Sequence, residues 1–224
     1  MRRALLDALG LPSLVLLAGM TGFGSLAKES GLSLMMALTS TAGIWALPGQ
    51  IALAELYGAG ASASAIILAV AFANVRFLPM AASFSPLLRE AAKRPRLLYL
   101  SVHLLSINSW AAGLRVFPTL PTAHRFYYFV PFALMCLASG LVGTTAGYFL
   151  VDTLPHSIAL GLLFLNPVFF AVLLLSIPGR HVAISLVIGA VLGPLTFLVL
   201  PQWSLLITGL AGGSAAFIWS RGRT

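Results

Sequence analysis

An arginine near the middle of a long apolar stretch is the first candidate for chemistry in this sequence. The stretch runs from Ala61 to Leu88 and is interrupted by Asn74-Val75-Arg76. About twenty apolar residues cross a bilayer as a helix, so Arg76 is expected near mid-membrane. A charge at that depth costs about 2.5–3.5 kcal/mol on insertion scales and should face protein, water or an anion. Arg76 therefore binds a substrate carboxylate, extends toward a membrane interface, or ties two helices together through backbone carbonyls.

Other polar side chains within the apolar pattern are candidates for the rest of a binding site. Gln50, Asn74 and Asn108 offer amide oxygens that suit an ammonium group. His103 and Ser106 are one helical turn apart and would extend the polar lining. The alternative for each neutral side chain is an interhelical hydrogen bond of about 0.6 kcal/mol. Both interpretations stay open from the sequence alone.

Proline and glycine predict two broken helices. One apolar segment contains Gly43 and Pro48-Gly49, and a later one contains Asn166-Pro167. Proline removes a backbone donor and clashes with the preceding turn, so we expect both segments to be kinked or broken at membrane depth. A broken backbone in a membrane must line a cavity or contact protein. A half-helix beginning at Pro48-Gly49 could bind a carboxylate with backbone donors, although an ordinary proline kink is the alternative.

Composition places the chain among polytopic membrane proteins. Of its 224 residues, 59% are hydrophobic and 8% charged, and the mean hydropathy is +1.00. We expect one membrane domain over residues 1–224. The net charge of +8 comes from basic residues scattered at the ends of apolar segments, which is typical of topology-setting loops and argues against nucleic-acid binding. With Cys136 as the single cysteine, no cofactor or metal site is expected.

The apolar segments define the predicted fold class, an all-α polytopic membrane protein with about six to eight hydrophobic helices and two Pro/Gly-broken segments. The helix over residues 61–88 is expected to be buried in the bundle because small residues line one face. The segments are Leu11–Ala27, Leu32–Leu56, Ala61–Leu88, Leu97–Phe117, Phe126–Val151, Ser157–Ile177, Val182–Leu200 and Trp203–Trp219.

A weak internal repeat relates residues 22–86 to residues 143–201. Gly24 corresponds to Gly147, and each of these two ranges, about a third of the chain, contains a proline-interrupted segment. If one segment in each third is re-entrant, the basic clusters at residues 2–3, 89–96 and 221–223 share one side of the membrane. The two thirds would then form an inverted repeat, which is one architecture of secondary transporters.

Several motifs resemble the AzlC family, the large subunits of branched-chain amino acid exporters. The motifs are Gly24-Ser25-Leu26-Ala27, Ser30-Gly31-Leu32-Ser33, Gln50, Gly60-Ala61-Ser62, Asn74-Val75-Arg76 and Ser83-Phe84-Ser85-Pro86. Two stretches depart from the family pattern, Ala46-Leu47-Pro48-Gly49-Gln50 and Ile107-Asn108, where an Asp-Glu pair is frequent. These departures leave the substrate and any carboxylate-based coupling open.

The resemblance implies a multi-pass permease of the plasma membrane that exports small apolar amino acids. It also implies a small AzlD-like membrane subunit as partner, with membrane lipid around the complex and homo-oligomerisation left open. From the polar residues and the two predicted breaks together with this resemblance, the expected substrate-binding residues are Arg76, Asn74, Gln50, Pro48, Gly49, His103, Asn108 and Asn166.

An enzyme and a membrane scaffold are the alternatives to a transporter. An enzyme would need a nucleophile with its base or a set of metal ligands, and the chain has no HExxH, GxSxG or paired-aspartate pattern. We therefore expect no catalytic activity. A non-transporting membrane scaffold for a small partner, or a permease for a different small solute, remains the alternative.

Overall fold

The structure, a computed structural model, describes residues 2–89, 91, 95–153, 155–175, 180–200 and 204–221. These ranges contain α-helices and one 3₁₀ turn, Phe117–Thr119, and no β-strand. The predicted all-α fold is therefore confirmed. The twelve α-helices of the described ranges are α1 (Arg2–Leu9), α2 (Leu11–Glu29), α3 (Leu34–Gly43), α4 (Leu47–Gly58), α5 (Ala63–Asn74), α6 (Phe77–Arg89), α7 (Pro95–His103), α8 (Ile107–Val116), α9 (Thr122–Leu150), α10 (His156–Leu175), α11 (Arg180–Val199) and α12 (Ser204–Arg221).

The chain divides into two compact units, Met1–Asn166 and Pro167–Thr224. The first unit contains α1 to α9 and the beginning of α10. In the second unit, the hydroxyl groups of Thr196 and Thr208 lie 3.0 Å apart, and the hydroxyl of Ser185 donates to the carbonyl of Gly212 at 3.4 Å. These contacts make α11 and α12 an antiparallel hairpin. The single-domain organisation expected from the sequence stays a prediction.

Two helices among the described residues, α2 and α9, are long and apolar enough to cross a membrane. Two further spans are added if each bent helix pair counts as one, α5 with α6 at 49° and α7 with α8 at 119°. The predicted six to eight hydrophobic helices underestimate the number of helices because three apolar segments divide into helix pairs: α3 with α4, α5 with α6, and α7 with α8.

The helices α2 and α9 pack along their length through glycines. A Cβ added at Gly147 would overlap the carbonyl oxygen of Thr21, and one added at Gly24 would overlap that of Thr144. A Cβ at Gly143 would lie 2.5 Å from the carbonyl oxygen of Leu17. Glycines allow this close approach of two backbones. We refer to these contacts as the glycine seam.

An aromatic cluster joins α6 and α8 to the first half of α9. The ring of Phe84 lies 5.2 Å from the rings of Phe117 and Phe129 between centroids, and Tyr128 stacks on Phe132 at 5.9 Å. All five side chains are buried. Rings in such offset or tilted arrangements gain about 0.5–1.5 kcal/mol per pair beyond their buried area. The cluster fixes where α6 and α8 pass α9.

Two sequence predictions about broken and buried helices are wrong. The helix α10 runs without interruption from His156 to Leu175, so Asn166-Pro167 does not break it. The segment over residues 61–88 is not one buried helix, because it divides at Val75-Arg76 and its first half, α5, has no buried residue. Its apolar side chains, such as Ile67 at 67% exposure, face outward.

The inverted repeat is not confirmed. Gly24 and Gly147, which the weak repeat aligns, both lie in the glycine seam, Gly24 against Thr144 and Gly147 against Thr21. Along the seam, α2 and α9 run in the same direction, since Leu17 is opposite Gly143, Thr21 is opposite Gly147, and Lys28 is opposite Asp152. An inverted repeat would place corresponding helices in opposite directions. The contacts therefore favour a parallel relation for this helix pair.

Candidate functional site

Three predicted membrane segments are interrupted, and all three interruptions lie in the first unit. The backbone leaves the helix at residues 44–46, 75–76 and 104–106. A new helix begins directly after each interruption, namely α4, α6 and α8. The predicted break near Pro48-Gly49 is therefore present, a few residues earlier than expected, whereas the other two interruptions were not predicted.

Prolines explain two of the interruptions. Pro48 and Pro79 lie in the first turns of α4 and α6, and the residues four positions before them are Ile44 and Val75. A proline has no N–H to donate to the carbonyl four residues earlier, and its ring clashes with that carbonyl. The preceding helix therefore ends before Ile44 in one case and before Val75 in the other. Proline is well accepted in the first turn of the helix that follows.

Serine capping explains the third interruption. The hydroxyl of Ser106 accepts a hydrogen bond from the backbone N–H of Ser109 at 3.2 Å, and Ser109 Oγ accepts one from the N–H of Ser106 at 2.8 Å. This reciprocal capping box satisfies two donors at the start of α8. It stabilises a helix beginning at Ile107, at 119° to α7.

Trp45 occupies the first interruption in an unusual conformation. Its φ is +51°, a left-handed backbone that costs a bulky residue about 1–3 kcal/mol. The side chain is buried, and its indole N–H donates to the carbonyl of Leu104 at 3.4 Å. A Cβ added at Gly140 would lie 2.9 Å from the Trp45 ring, so α9 leaves room for the indole. Backbone strain held by surrounding contacts is typical of functional sites.

His103 connects the same two interruptions. Its Nε2 lies 2.8 Å from the carbonyl oxygen of Ala42, to which it donates. Ala42 lies at the C-terminal end of α3, where carbonyl groups have no partner within the helix. With the indole of Trp45 on Leu104, two hydrogen bonds therefore join residues 42–45 to residues 103–104.

A cavity of about 190 Å³ lies where the three interruptions meet. Its volume exceeds that of an engineered apolar cavity of about 150 Å³ that binds benzene. The space is therefore large enough for a small solute. Residues from all three interrupted segments line it: Ile44, Trp45, Phe77, Ala81, Val102, His103 and Leu105.

Asn74 lies against the first turn of α4. A Cβ added at Gly49 would lie 2.9 Å from Nδ2 and 3.0 Å from Oδ1 of Asn74. Glycine at position 49 therefore lets the amide of Asn74 approach the helix backbone. The Oδ1 atom is buried and has no hydrogen-bond partner among the described residues. The structure thus brings together Asn74, Pro48 and Gly49, which the sequence predicted as site residues.

Arg76 lies at the second interruption rather than in the middle of a helix. Its Cζ is 5.7 Å from the centre of the Phe77 ring, which lines the cavity. The Nε atom is buried and unpartnered within the described part of the chain. A buried guanidinium N–H without an acceptor is costly, so an anion or water at this position would be favourable.

Gln50 is fully buried and forms part of a polar chain across three helices. Its Nε2 donates to Thr41 Oγ1 at 2.9 Å, and Thr41 Oγ1 lies 2.9 Å from Thr144 Oγ1. The remaining amide atom, Oε1, is buried without a partner among the described residues. A buried acceptor left unsatisfied costs about 1–3 kcal/mol, so Gln50 is suited to accept a donor from a ligand or water.

Asn108 lies in the first turn of α8 and is 4% exposed. Neither its Oδ1 nor its Nδ2 has a partner in the described part of the chain. Most buried polar side chains in proteins are hydrogen-bonded, so an entirely unpartnered amide calls for an explanation such as a ligand or water. The structure gives no distance that joins Asn108 to Arg76 or Gln50.

Helix ends give the cavity both signs of partial charge. The helices α4, α6 and α8 begin at the interruptions, and α3, α5 and α7 end there. Helix N-termini carry about half a positive charge and C-termini about half a negative charge. Backbone donors and acceptors are therefore available together, which suits a solute carrying both a carboxylate and an ammonium.

Sequence reasoning missed the apolar lining of the cavity. Ile44, Phe77, Ala81 and Leu105 look like ordinary membrane residues, and only the position of the breaks makes them lining residues. Pro79 was the available signal for the second break. The side chain of Asn166, a further predicted site residue, lies outside the described residues.

The fold and the cavity define a helical membrane protein whose interrupted helices line a small, partly open cavity. The family model described as "AzlC protein" matches residues 13–154, and the chain belongs to this family. The match includes all three interruptions and the glycine seam. The AzlC family is associated with branched-chain amino acid transport. No curated protein and no solved structure matches the chain.

Proposed function

We propose that this chain is the large subunit of a permease that moves small apolar amino acids across the plasma membrane. The observation that carries the proposal is the meeting of three interrupted helices at one cavity. Interrupted helices persist at membrane depth where protein, ligand or water satisfies the freed backbone groups. In many transporters such helices bind the substrate. Membership of the AzlC family supports the same function.

Each part of an amino-acid substrate has a proposed partner. Arg76, together with the N-terminal turns of α4 and α6, binds the carboxylate. The unpartnered amide oxygens of Gln50, Asn74 and Asn108 accept from the ammonium. The apolar walls of the cavity contact the side chain, and its volume of about 190 Å³ limits the substrate to a small one. His103 positions the cavity wall through Ala42.

The same proposal has three further parts. The permease exports its substrate, it crosses the plasma membrane several times, and it carries out no covalent chemistry. They are supported by the resemblance of the sequence motifs to branched-chain amino acid exporters and by the apolar helices. The coupling ion is open. Arg76, Gln50, Asn74 and Asn108 do not line the cavity, so in this proposal they contact the substrate from beside it. The carboxylates Glu29, Glu55 and Asp152 do not line it either.

A second candidate function, a scaffold for a small membrane partner, is favoured by the surface of α5. This helix has no buried residue, and its apolar side chains Ile67 and Leu68 are 67% and 57% exposed. We propose that an AzlD-like subunit covers α5, in agreement with the partner that the family resemblance implies. Permease and scaffold functions are separable, because only a permease moves solute.

Counterflow in proteoliposomes tests the permease function. The purified chain, with and without a small AzlD-like subunit, is reconstituted into liposomes loaded with unlabelled leucine, and uptake of labelled leucine is followed. We expect saturable uptake that valine and isoleucine compete and that glutamate and lysine do not. The Arg76→Gln protein serves as the matched inactive control.

Each outcome separates the candidates. Competition by another class of solute alone would replace the amino-acid substrate while keeping the permease. Absence of flux with a stably bound partner would favour the scaffold. Flux that does not depend on the partner would remove the partner from the transport mechanism.

A further inference from the structure

The charged side chains of the first unit are segregated between its two ends. At the end where α1 and α9 begin, the described residues include the basic side chains Arg3, Arg89, Arg115, His124 and Arg125, which we call the basic end. At the end where α2 and α9 finish, they include Lys28, Glu29, Glu55 and Asp152, which we call the acidic end. Both α2 and α9 run from the basic end to the acidic end.

Contacts place the residues of the basic end. Asp7 on α1 accepts a hydrogen bond from Tyr128 on α9 at 2.8 Å, and Arg3 lies 3.9 Å from the same carboxylate. Arg115 lies in the last turn of α8. Arg125 lies over the ring of Phe117, two residues beyond Arg115.

Arg89 belongs to the same end. The helix α6 leaves the cavity at Ala81, passes Phe117 and Phe129 at Phe84, and ends at Arg89. Since Phe129 precedes the middle of α9, α6 runs toward the start of α9.

Contacts also place the acidic end. Lys28 pairs with Asp152 at 2.7 Å. Gly58, at the end of α4, packs on Ser30, because a Cβ added at Gly58 would lie 3.2 Å from the Cβ of Ser30. Glu55 lies one turn earlier on α4. The acids of this end are therefore remote from the arginines of the basic end.

The described residues of the basic end carry more positive than negative charge. Among the described residues, Asp7 is its carboxylate, and this group already binds Tyr128 and faces Arg3. The neighbouring Glu90, Lys93 and Arg94 lie outside the described residues. Arg115, Arg125 and Arg89 are therefore not neutralised by Asp7, and an anion from outside the protein would be favourable at this end.

The guanidinium of Arg125 is positioned to bind such an anion. Its guanidinium stacks on Phe117, with Cζ 5.7 Å from the ring centre, and its buried Nε has no partner among the described residues. It also lies in the first turns of α9, where the helix dipole disfavours a cation. A bound anion would remove both penalties.

The helix α1 supplies an apolar surface beside these arginines. Ala4 and Ala8 are fully buried, whereas Leu6 and Leu9 are 61% and 54% exposed. A short helix with one packed face and one exposed leucine face is typical of segments that lie in the membrane interface. A site for an anion at the basic end therefore lies next to an apolar surface that acyl chains can contact. An anionic phospholipid has both chemical features.

We propose that the basic end binds the headgroup of an anionic phospholipid, with its phosphate at Arg125 and Arg115 and its acyl chains along the leucines of α1. Charge complementarity and the adjoining apolar surface identify the occupant as a lipid. By the positive-inside tendency, this end faces the cytoplasmic leaflet, where anionic lipids attract basic segments.

Native mass spectrometry of the purified full chain tests the proposal. Phosphatidylglycerol and phosphatidylcholine with identical acyl chains are titrated separately, and the bound fraction is compared. We expect phosphatidylglycerol to bind at least roughly fivefold more tightly, and Arg125→Gln to weaken it by roughly fivefold, the contribution of one basic residue near a charged membrane surface. Arg125→Lys should restore most of the binding.

The matched control is Lys28→Gln, which removes one positive charge at the acidic end. It should leave phosphatidylglycerol binding unchanged. Equal binding of the two lipids by the wild-type protein, or equal weakening in Lys28→Gln and Arg125→Gln, would overturn the proposal. A rise in melting temperature with inorganic phosphate as large as that with phosphatidylglycerol would also overturn it in favour of a free anion. If Arg125→Gln fails to fold, loss of the wild-type lipid preference at high salt supports the proposal, and a salt-independent preference contradicts it.

Discussion

The glycine seam and the cavity use small and polar residues in opposite ways. In the seam, the backbone of the facing helix occupies the space beside Gly24 and Gly147. In the interrupted segments, the side chain of Asn74 occupies the space beside Gly49, and several buried amide atoms have no partner within the described residues. Two continuous helices make the seam, whereas three interrupted segments make the cavity. The chain thus combines a closely packed frame with a region left open for a ligand.

This difference separates two kinds of glycine that the sequence cannot distinguish. Where a facing backbone fills the space, a substitution must move a whole helix. Where a side chain fills it, a substitution displaces only that side chain. Stability and transport should therefore respond independently to changes in the two regions.

The largest effect is expected from Gly147→Ala in the seam. The added methyl group would overlap the carbonyl oxygen of Thr21, and neither helix backbone can shift without moving the whole packed pair. We expect a loss of about 1–3 kcal/mol or more of stability, seen as a lower melting temperature and yield. Gly161→Ala is the control, since nothing lies within 4 Å of a Cβ there. Equal melting temperatures for the two variants would contradict the description of the seam as rigid.

The next effect is expected from Arg76 and concerns transport alone. Arg76→Gln removes the charge proposed for the carboxylate and should nearly abolish counterflow while the melting temperature stays near that of the wild type. Arg76→Lys keeps the charge but loses planar two-point hydrogen bonding, so flux should be intermediate. Normal flux in a stable Arg76→Gln protein would eliminate the carboxylate role. A large loss of melting temperature in both variants would assign Arg76 to helix packing.

A moderate effect is expected from Gly49→Ala. Its methyl group would lie about 3 Å from the amide of Asn74 and should displace that side chain without moving a helix. We expect a several-fold increase in the substrate concentration for half-maximal flux, with little change in melting temperature. Gly43→Ala, in the same interrupted segment but with open space around its Cβ, is the matched control. An unchanged half-maximal concentration in Gly49→Ala would remove Asn74 from the site.

The smallest effect, and the most selective, is expected from Ala81→Leu. The larger side chain would fill part of the cavity of about 190 Å³ and should exclude leucine more than alanine from transport. Ala82→Leu adds the same atoms at an exposed position of α6 and should change the transport of neither leucine nor alanine. Competition assays with leucine and alanine measure the ratio of their transport. Equal inhibition of both substrates by Ala81→Leu would show that the cavity does not select by size.

Hydropathy and family motifs predicted the membrane class and the all-α fold, because apolar segment length is a strong signal. The breaks were harder to predict, since prolines act differently in different surroundings. Pro48 and Pro79 each follow a helix end, whereas Asn166-Pro167 lies within the uninterrupted α10. A proline's lost hydrogen bond is compensated in some helices by neighbours that the sequence does not reveal.

The candidate site was predicted in part for a similar reason. Polar residues such as Arg76, Gln50 and His103 stand out in an apolar sequence, and the structure places Arg76 and His103 beside the breaks. Trp45 gave no signal, because a left-handed backbone at tryptophan results from tertiary contacts with Leu104 and Gly140. Ala81 acquires meaning only once the cavity is known.

The glycine seam also has a consequence for biosynthesis. Lys28 and Asp152, which close one end of the seam, are 124 residues apart in the chain. At a synthesis rate of about 5–20 residues per second, α2 enters the membrane about 6–25 seconds before its partner is complete. During that interval its glycine face has no helix to pack against and is open to lipid or to nascent neighbours. A ribosome stalled before α9 would therefore leave α2 inserted but unpaired, and such an intermediate would be a natural substrate for membrane quality-control proteases.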